Sequence, residues 1–392
     1  MKRKILNKYK LFLLTTAVLL FSKITDAKSQ WAIMLRYADS LVLLGADYVY
    51  NLEFEKAAEQ FKKVQEKYPL HPAGYFLDSM IEWWKIALNS EDKSNDNIFY
   101  RKIEKVIEVC DKILDTNAYD INALFFKGGA IGYRARLKTM RDDWFQAIQD
   151  AKEALEILRR CQQLAPFNHD IMLGTGLYNY FSVKFPEEYP ILKPLMLFLP
   201  NGDKRLGLFQ LRAAARNARY ASVEAKVALL QIYYSFENDN YEALQIAQEL
   251  TEKYPNNIYF QRYLGRLQVR LGMIMDYETT WKKILEHIKE NPSLYNNNIA
   301  REATYYIGLA LLYRQDYFNS LKYFQKSLEG TKLIDKKPTG FHSYTLIKIG
   351  NNYDALGNRS EAIKYYKQAY ELPDFNDSKK IAKRYLETPY KP

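Results

Sequence analysis

Cysteine and histidine are scarce in this chain: two cysteines and four histidines in 392 residues. His71, His169, His287 and His342 stand far apart, and none has a partner at metal-ligand spacing. No metal and no cofactor is expected. No glycine-rich run leads into Lys-Ser or Lys-Thr, which excludes a phosphate-cradling loop of that type. A Gly-x-Ser-x-Gly elbow is also missing. Asp142-Asp143 and Glu187-Glu188 are acidic neighbours. Adjacent side chains on a helix diverge, so neither pair can share one proton as a catalytic dyad does. With no catalytic constellation, the chain reads as a non-enzyme.

The formal charge is +11, yet no dense Lys/Arg run appears, and nucleic acid is not expected as a partner. Part of that charge lies in residues 1–27, where Lys2, Arg3, Lys4, Lys8, Lys10 and Lys23 face only Asp26. That segment has the layout of a secretory signal peptide. A basic start precedes the apolar run Leu11–Phe21, and small residues lead to cleavage after Ala27. The run is about half the roughly twenty residues a spanning helix needs, and no other segment is long and apolar enough to span a bilayer. Export is therefore expected, most simply to a bacterial periplasm, with outer-membrane association or secretion as variants. An exported pair of cysteines could bridge; the repeat register below instead puts Cys110 and Cys161 at packing positions.

Against these absences stands a repeat. The stretch "YTLIKIGNNYDALGNRSEAIKYYKQAYELPDF" carries Leu346, Ile349, Gly350, Tyr353, Ala362, Tyr366 and Ala369, closed by Pro373. Small residues at two positions let antiparallel helices approach, and large ones fill the seam. The same spacing recurs with Leu41, Leu44, Gly45, Tyr48, Ala57, Phe61 and Pro69. It returns with Leu230, Tyr234, Ala243, Ala247 and Pro255, and with Ile307, Gly308, Leu311, Ser320 and Phe324. This pattern closely resembles the tetratricopeptide repeat, a helix–turn–helix unit of about 34 residues. The resemblance covers roughly residues 31–375. It implies an all-α fold: a right-handed superhelical solenoid of about seven to eight helix pairs with mid-chain insertions and a concave inner surface. After the signal segment, residues 28–392 are expected to form one such solenoid, with a C-terminal capping helix at about 377–387.

One segment departs from the repeat. Residues 185–211, "FPEEYPILKPLMLFLPNGDKRLGLFQL", hold Pro186, Pro190, Pro194 and Pro200 around the apolar run Leu195–Leu199. Proline removes a backbone N–H and breaks helices. An apolar insertion is therefore expected at 184–202, folded back over the Gly128–Gly132 region. Asn201-Gly202-Asp203 signals a new helix with Asp203 as its N-cap. Lys204 and Arg205 oppose the dipole of its first turn, and Glu187 and Glu188 are the expected counter-charges. Leu206, Phe209 and Ala213 share one face, and Arg205, Arg212, Arg216 and Arg219 project elsewhere. Gly202, Asp203, Arg205 and Gly207, within Gly174–Asn257, resemble the Gly-Asp-basic-x-x-Gly signature of a mitochondrial outer-membrane and inclusion-clearance subfamily of tetratricopeptide proteins. That resemblance implies a related array and no activity.

The expected function is a non-catalytic, exported interaction scaffold that holds a protein or peptide in its groove. The alternative is a membrane-proximal or apolar-ligand module, with peripheral membrane contact through residues 185–205. Candidate surface residues are Leu195, Leu197, Phe198, Asp203, Lys204, Arg205, Arg212 and Arg216. A carboxylate clamp through Asn351 is not expected, since partner lysines and asparagines are missing from the preceding repeats.

Overall fold

The computed structural model describes residues 35–197, 199–291 and 296–392. The signal-peptide reading of residues 1–27 lies outside them. Among the described residues all regular structure is helical. Backbone contacts group the chain into two compact units, divided between Ile232 and Tyr233.

The first unit contains α1 (Arg36–Tyr50), α2 (Phe54–Lys67), α3 (Ala73–Leu88), α4 (Asp96–Thr116), α5 (Ile121–Met140) and α6 (Trp144–Leu164). It continues with α7 (Ile171–Glu188), the short α8 (Lys193–Met196), α9 (Lys204–Asn217) and α10 (Ser222–Ile232). The second unit opens on a single π turn, Tyr233–Glu237. It continues with α11 (Asn240–Lys253), α12 (Ile258–Arg270), α13 (Ile274–Glu290), α14 (Asn297–Tyr313) and α15 (Tyr317–Ile334). The last helices are α16 (Gly340–Ala355), α17 (Arg359–Glu371) and α18 (Ser378–Glu387). The final helix occupies the place expected for the cap.

Each helix packs on its successor as a pair: α1 on α2, α3 on α4, α5 on α6, α7 on α9, α12 on α13, α14 on α15 and α16 on α17. The seam is set by size. A Cβ on Gly45 would stand 2.3 Å from the Phe61 ring, and one on Gly350 would stand 2.4 Å from the Tyr366 ring. Gly265 meets Trp281 and Gly308 meets Phe324 in the same way. Glycine lets the aromatic ring of the second helix lie on the backbone of the first, and dispersion over that flat contact holds the pair. Many helices start on an Asp or Asn whose carboxyl or amide oxygen accepts an N–H of the first turn, as at Asp120, Asp239, Asn257 and Asn296. Cys110 and Cys161 are buried and free, as the register required.

First helices also touch the first helices of neighbouring pairs: α1 with α3, α3 with α5, α5 with α7 and α7 with α10 in one unit, and α14 with α16 in the other. Among the described residues, second helices show no comparable packing from pair to pair. Closer spacing on one side means curvature toward that side, so within each unit the first helices line the inner face.

Candidate functional site

The proline-rich segment follows its expected plan only in part. Helix α7 runs through Pro186 to Glu188. A 3-10 turn at Pro190–Leu192 and the single turn of α8 follow. Leu192 is buried, whereas Ile191 is 85% and Leu197 82% exposed. Leu195 sits on α8, and Phe198 lies outside the described residues. Helix α8 packs on α6 and α7. The expected cover over Gly128–Gly132 is corrected by what those glycines meet: Gly128 faces Leu158, Gly129 faces the Phe76 ring and Gly132 faces Ala154. They admit neighbouring helices and leave no seat for Leu197.

The counter-charge expectation is also corrected. Lys184 Nζ lies 2.7 Å from Glu188 Oε1 and 3.9 Å from Glu187 Oε2. Helical spacing brings these acids to Lys184 rather than to α9. At α9 the Asp203 carboxylate accepts the N–H groups of Arg205 (2.8 Å) and Leu206 (3.0 Å), the expected N-cap. Lys204 Nζ stands 6.0 Å from the centroid of the Tyr180 ring. The Gly-Asp-basic-x-x-Gly motif is a packing device. A Cβ on Gly202 would overlap Ser182 Oγ, and one on Gly207 would lie 2.6 Å from the Tyr180 amide nitrogen and 2.8 Å from the Gly176 carbonyl. The α7–α9 crossing is thus backbone on backbone, with Asn179 donating to Gln210 (2.8 Å) inside it. Arg205, Arg212 and Arg216 stand exposed on the far side of α9.

The inner face of the first unit is filled by its own side chains. Trp84 Nε1–H on α3 donates to Glu224 Oε1 on α10 at 2.9 Å, and the Tyr133 hydroxyl on α5 donates to Oε2 at 2.8 Å. Arg136 donates to Gln231 (2.7 Å), with its guanidinium 4.7 Å from the Trp83 ring. Tyr50, Phe76, Trp83 and Tyr133 pack in edge-on ring contacts around them. At the rim, Asp39 of α1 accepts two N–H groups of Arg219 and the Tyr220 hydroxyl. Burial, aided by the Glu224 charge, lifts the Tyr133 hydroxyl far above its ordinary pKa. These contacts bridge α3, α5 and α10 across the inner face.

The inner face of the second unit is different. Gly265, Gly308 and Gly350 fix equivalent positions in α12, α14 and α16. Two residues before each stand Tyr263, Tyr306 and Lys348, with the Tyr306 ring stacked on Trp281 of the preceding pair at 5.0 Å. Arg262 and Arg266 of α12 both pair with Glu302 of α14, Arg262 at 2.8 Å. Arg270 lies with its guanidinium 3.5 Å from the centroid of the Tyr234 ring and donates to the Tyr234 carbonyl at 2.7 Å. Tyr234 and Tyr259 flank Tyr263, at ring distances of 5.2 and 5.1 Å. Burial raises the Glu302 carboxyl, but the two guanidiniums outweigh it and hold the group below its ordinary range. Burial lowers the Lys348 amine, and no carboxylate among the described residues pairs with it. Arg262 and Arg266 thus share one carboxylate among tyrosine rings, with Arg270 on the Tyr234 ring beside them, and Lys348 lies one pair further along, on α16. Asn351 is turned inward, its Oδ1 accepting the Tyr366 hydroxyl at 3.0 Å, so it serves the seam.

Sequence reasoning singled out none of Arg262, Arg266, Arg270, Glu302 and Lys348. A signal was available: Arg262, Arg266 and Arg270 recur every four residues on the helix whose seam is set by Leu264 and Gly265.

Residues 300–373 match the family model of the tetratricopeptide repeat. They span the pairs α14–α15 and α16–α17, and that stretch carries tetratricopeptide repeats. No curated protein sequence matches the chain. Among solved structures, Pseudomonas aeruginosa pilF is similar at 15% identity over 66% of this chain and 96% of that one, with a TM-score of 0.42. Yeast Tom70 is similar at 14% identity over 97% and 95%, with a TM-score of 0.35. A human IFIT1 dimer with PPP-AAAA is similar at 14% identity over 81% and 68%, with a TM-score of 0.40. All three are distant likenesses.

Proposed function

We propose that the protein is a non-catalytic, exported interaction scaffold, and that the inner face of its second unit holds an acidic segment of a partner protein. The observation that carries this reading is the contrast between the two inner faces. The first is filled by the Trp84–Glu224–Tyr133 contacts. The second carries Arg262 and Arg266 on Glu302, Arg270 on the Tyr234 ring, and Lys348 on the next first helix with no carboxylate partner among the described residues. Arginine and tyrosine are the residues that carry binding energy at protein interfaces, because they desolvate large flat surfaces at low entropic cost. The excess of positive charge selects acidic segments and rejects basic ones. Export is supported by the sequence of residues 1–27 alone.

The test is fluorescence anisotropy of labelled decapeptides, acid-rich, neutral and basic, against the protein and against its Arg270→Glu and Lys348→Glu variants. Acid-rich peptides should bind, and each reversal should weaken them at least tenfold. Equal binding of all three classes, or no loss in either variant, contradicts the proposal.

A further inference from the structure

The outward face of α9 is the second surface with unassigned chemistry. Gly207, Gln210, Leu211, Ala214 and Ala215 face inward, and Gly207 and Leu211 meet α7. At 100° per residue the opposite side carries Arg205, Leu206, Phe209, Arg212 and Arg216 within an arc of about 120°. All five are exposed, Phe209 by 64% and Leu206 by 45%. The helix contains no Asp or Glu. Asp203, which precedes it, is held by backbone N–H groups at the N-cap.

We propose that this face docks on an anionic lipid bilayer. Second helices lie on the outer, convex side of the unit, and a convex face meets a flat sheet better than it grips a single extended peptide. Phe209 and Leu206 project from the centre and one flank of the arc, where they enter the boundary between headgroups and acyl chains. The three arginines lie side by side on the other flank, at the level of the lipid phosphates, the arrangement in which long basic side chains lay their stems on apolar surface and keep their charge in the headgroups. Ile191 and Leu197, exposed in the preceding segment, add apolar side chains of the same kind. A nucleic acid would use the arginines and leave the apolar pair in water. The proposal concerns the first unit and stands apart from peptide binding by the second.

The test exploits the buried cysteines. A Phe209→Cys substitution in the full chain gives one accessible thiol for an environment-sensitive NBD label; a Glu153→Cys chain, labelled on exposed α6, is the control. Vesicles of phosphatidylcholine with about a third phosphatidylglycerol should shift the emission of the position-209 label to the blue and raise its intensity at least twofold. Pure phosphatidylcholine vesicles, and the position-153 label, should give no such change. Reversing Arg205, Arg212 and Arg216 to glutamate should remove the response, as should raising the salt. The proposal is overturned by no shift at position 209 with anionic vesicles, by an equal shift in the charge-reversed chain, or by an equal shift at position 153. A shift produced by a single-stranded RNA of thirty nucleotides but not by vesicles also overturns it and assigns the face to nucleic acid.

Discussion

Trp84 and Glu224 are 140 residues apart in sequence and joined by a 2.9 Å hydrogen bond in the interior of the first unit. With the Tyr133 hydroxyl on its other oxygen, the Glu224 carboxylate ties α3, α5 and α10 together across what an open array would leave as a groove. A repeat unit normally touches only its neighbours. Here one carboxylate joins helices from non-adjacent pairs, and that turns a potential binding surface into core.

Removing this carboxylate strands two buried donors. Each unsatisfied donor costs about 1–3 kcal/mol. Glu224→Ala is therefore expected to lose about 2–4 kcal/mol and, for a unit of this size, to lower the melting temperature by roughly 5–12 °C. Calorimetry reads the melting temperature, and fluorescence should show a red shift of tryptophan emission in parallel as the Trp84 environment loosens. An unchanged melting temperature would show that these contacts are incidental.

The α7–α9 crossing gives a sharper contrast. A methyl on Gly207 would press on backbone atoms of Tyr180 and Gly176, which cannot yield as a side chain can. Gly207→Ala is expected to cost about 1–3 kcal/mol as overpacking. Gly132→Ala, in the middle of α5, meets nothing nearer than Ala154 at 4.0 Å. It should gain about 0.5–1 kcal/mol from the lower backbone entropy of the unfolded chain. Urea denaturation of both variants compares the two signs directly.

Both thiols are pushed up to about 12 by burial. At pH 8 they are un-ionised and shielded, and the thiolate is the reacting species. Iodoacetamide should therefore leave the native chain unmodified over hours and label both positions within minutes in denaturant. Mass spectrometry before and after reduction should show the same two free thiols. A native disulfide would refute the seam assignment.

Glu302 supplies a pH test. Its folded-state pKa lies below the ordinary value because Arg262 and Arg266 outweigh burial. A depressed carboxyl contributes stability that is complete above its unfolded pKa, about 4.3, and is lost as the pH falls through the folded value. Glu302→Gln should be less stable at pH 7 by about 3 kcal/mol, since it strands two half-buried guanidiniums. The deficit should shrink as the pH is lowered below about 4. Parallel urea titrations at pH 7 and pH 3 read this difference.

The fold was largely legible in the sequence, because a helix-pair seam repeats in one dimension. Gly45, Gly308 and Gly350 mark the close approaches, and Phe61, Phe324 and Tyr366 mark what fills them. The burial of Cys110 and Cys161 followed from the same register, and the N-cap at Asp203 from the Asn201-Gly202-Asp203 turn signal. The sites were less legible, for a physical reason. Periodicity reports which residues face the partner helix and says little about contacts between distant repeats. Nothing local to Trp84 announces Glu224. The same limit misplaced Glu187 and Glu188, whose local partner Lys184 lay within helical reach. It also put Leu197 inside, although the glycines expected to seat it were already occupied by Leu158 and Phe76.

The central claim is that the first unit's inner face is closed and the second unit's is open to an acidic partner. Amide hydrogen exchange of the full chain, with and without a saturating acid-rich decapeptide, tests it most directly. Added protection is expected along α12, α14 and α16, with α3, α5 and α10 slow to exchange in both samples. Protection gained on α3, α5 or α10, with none on α12, α14 and α16, would contradict it.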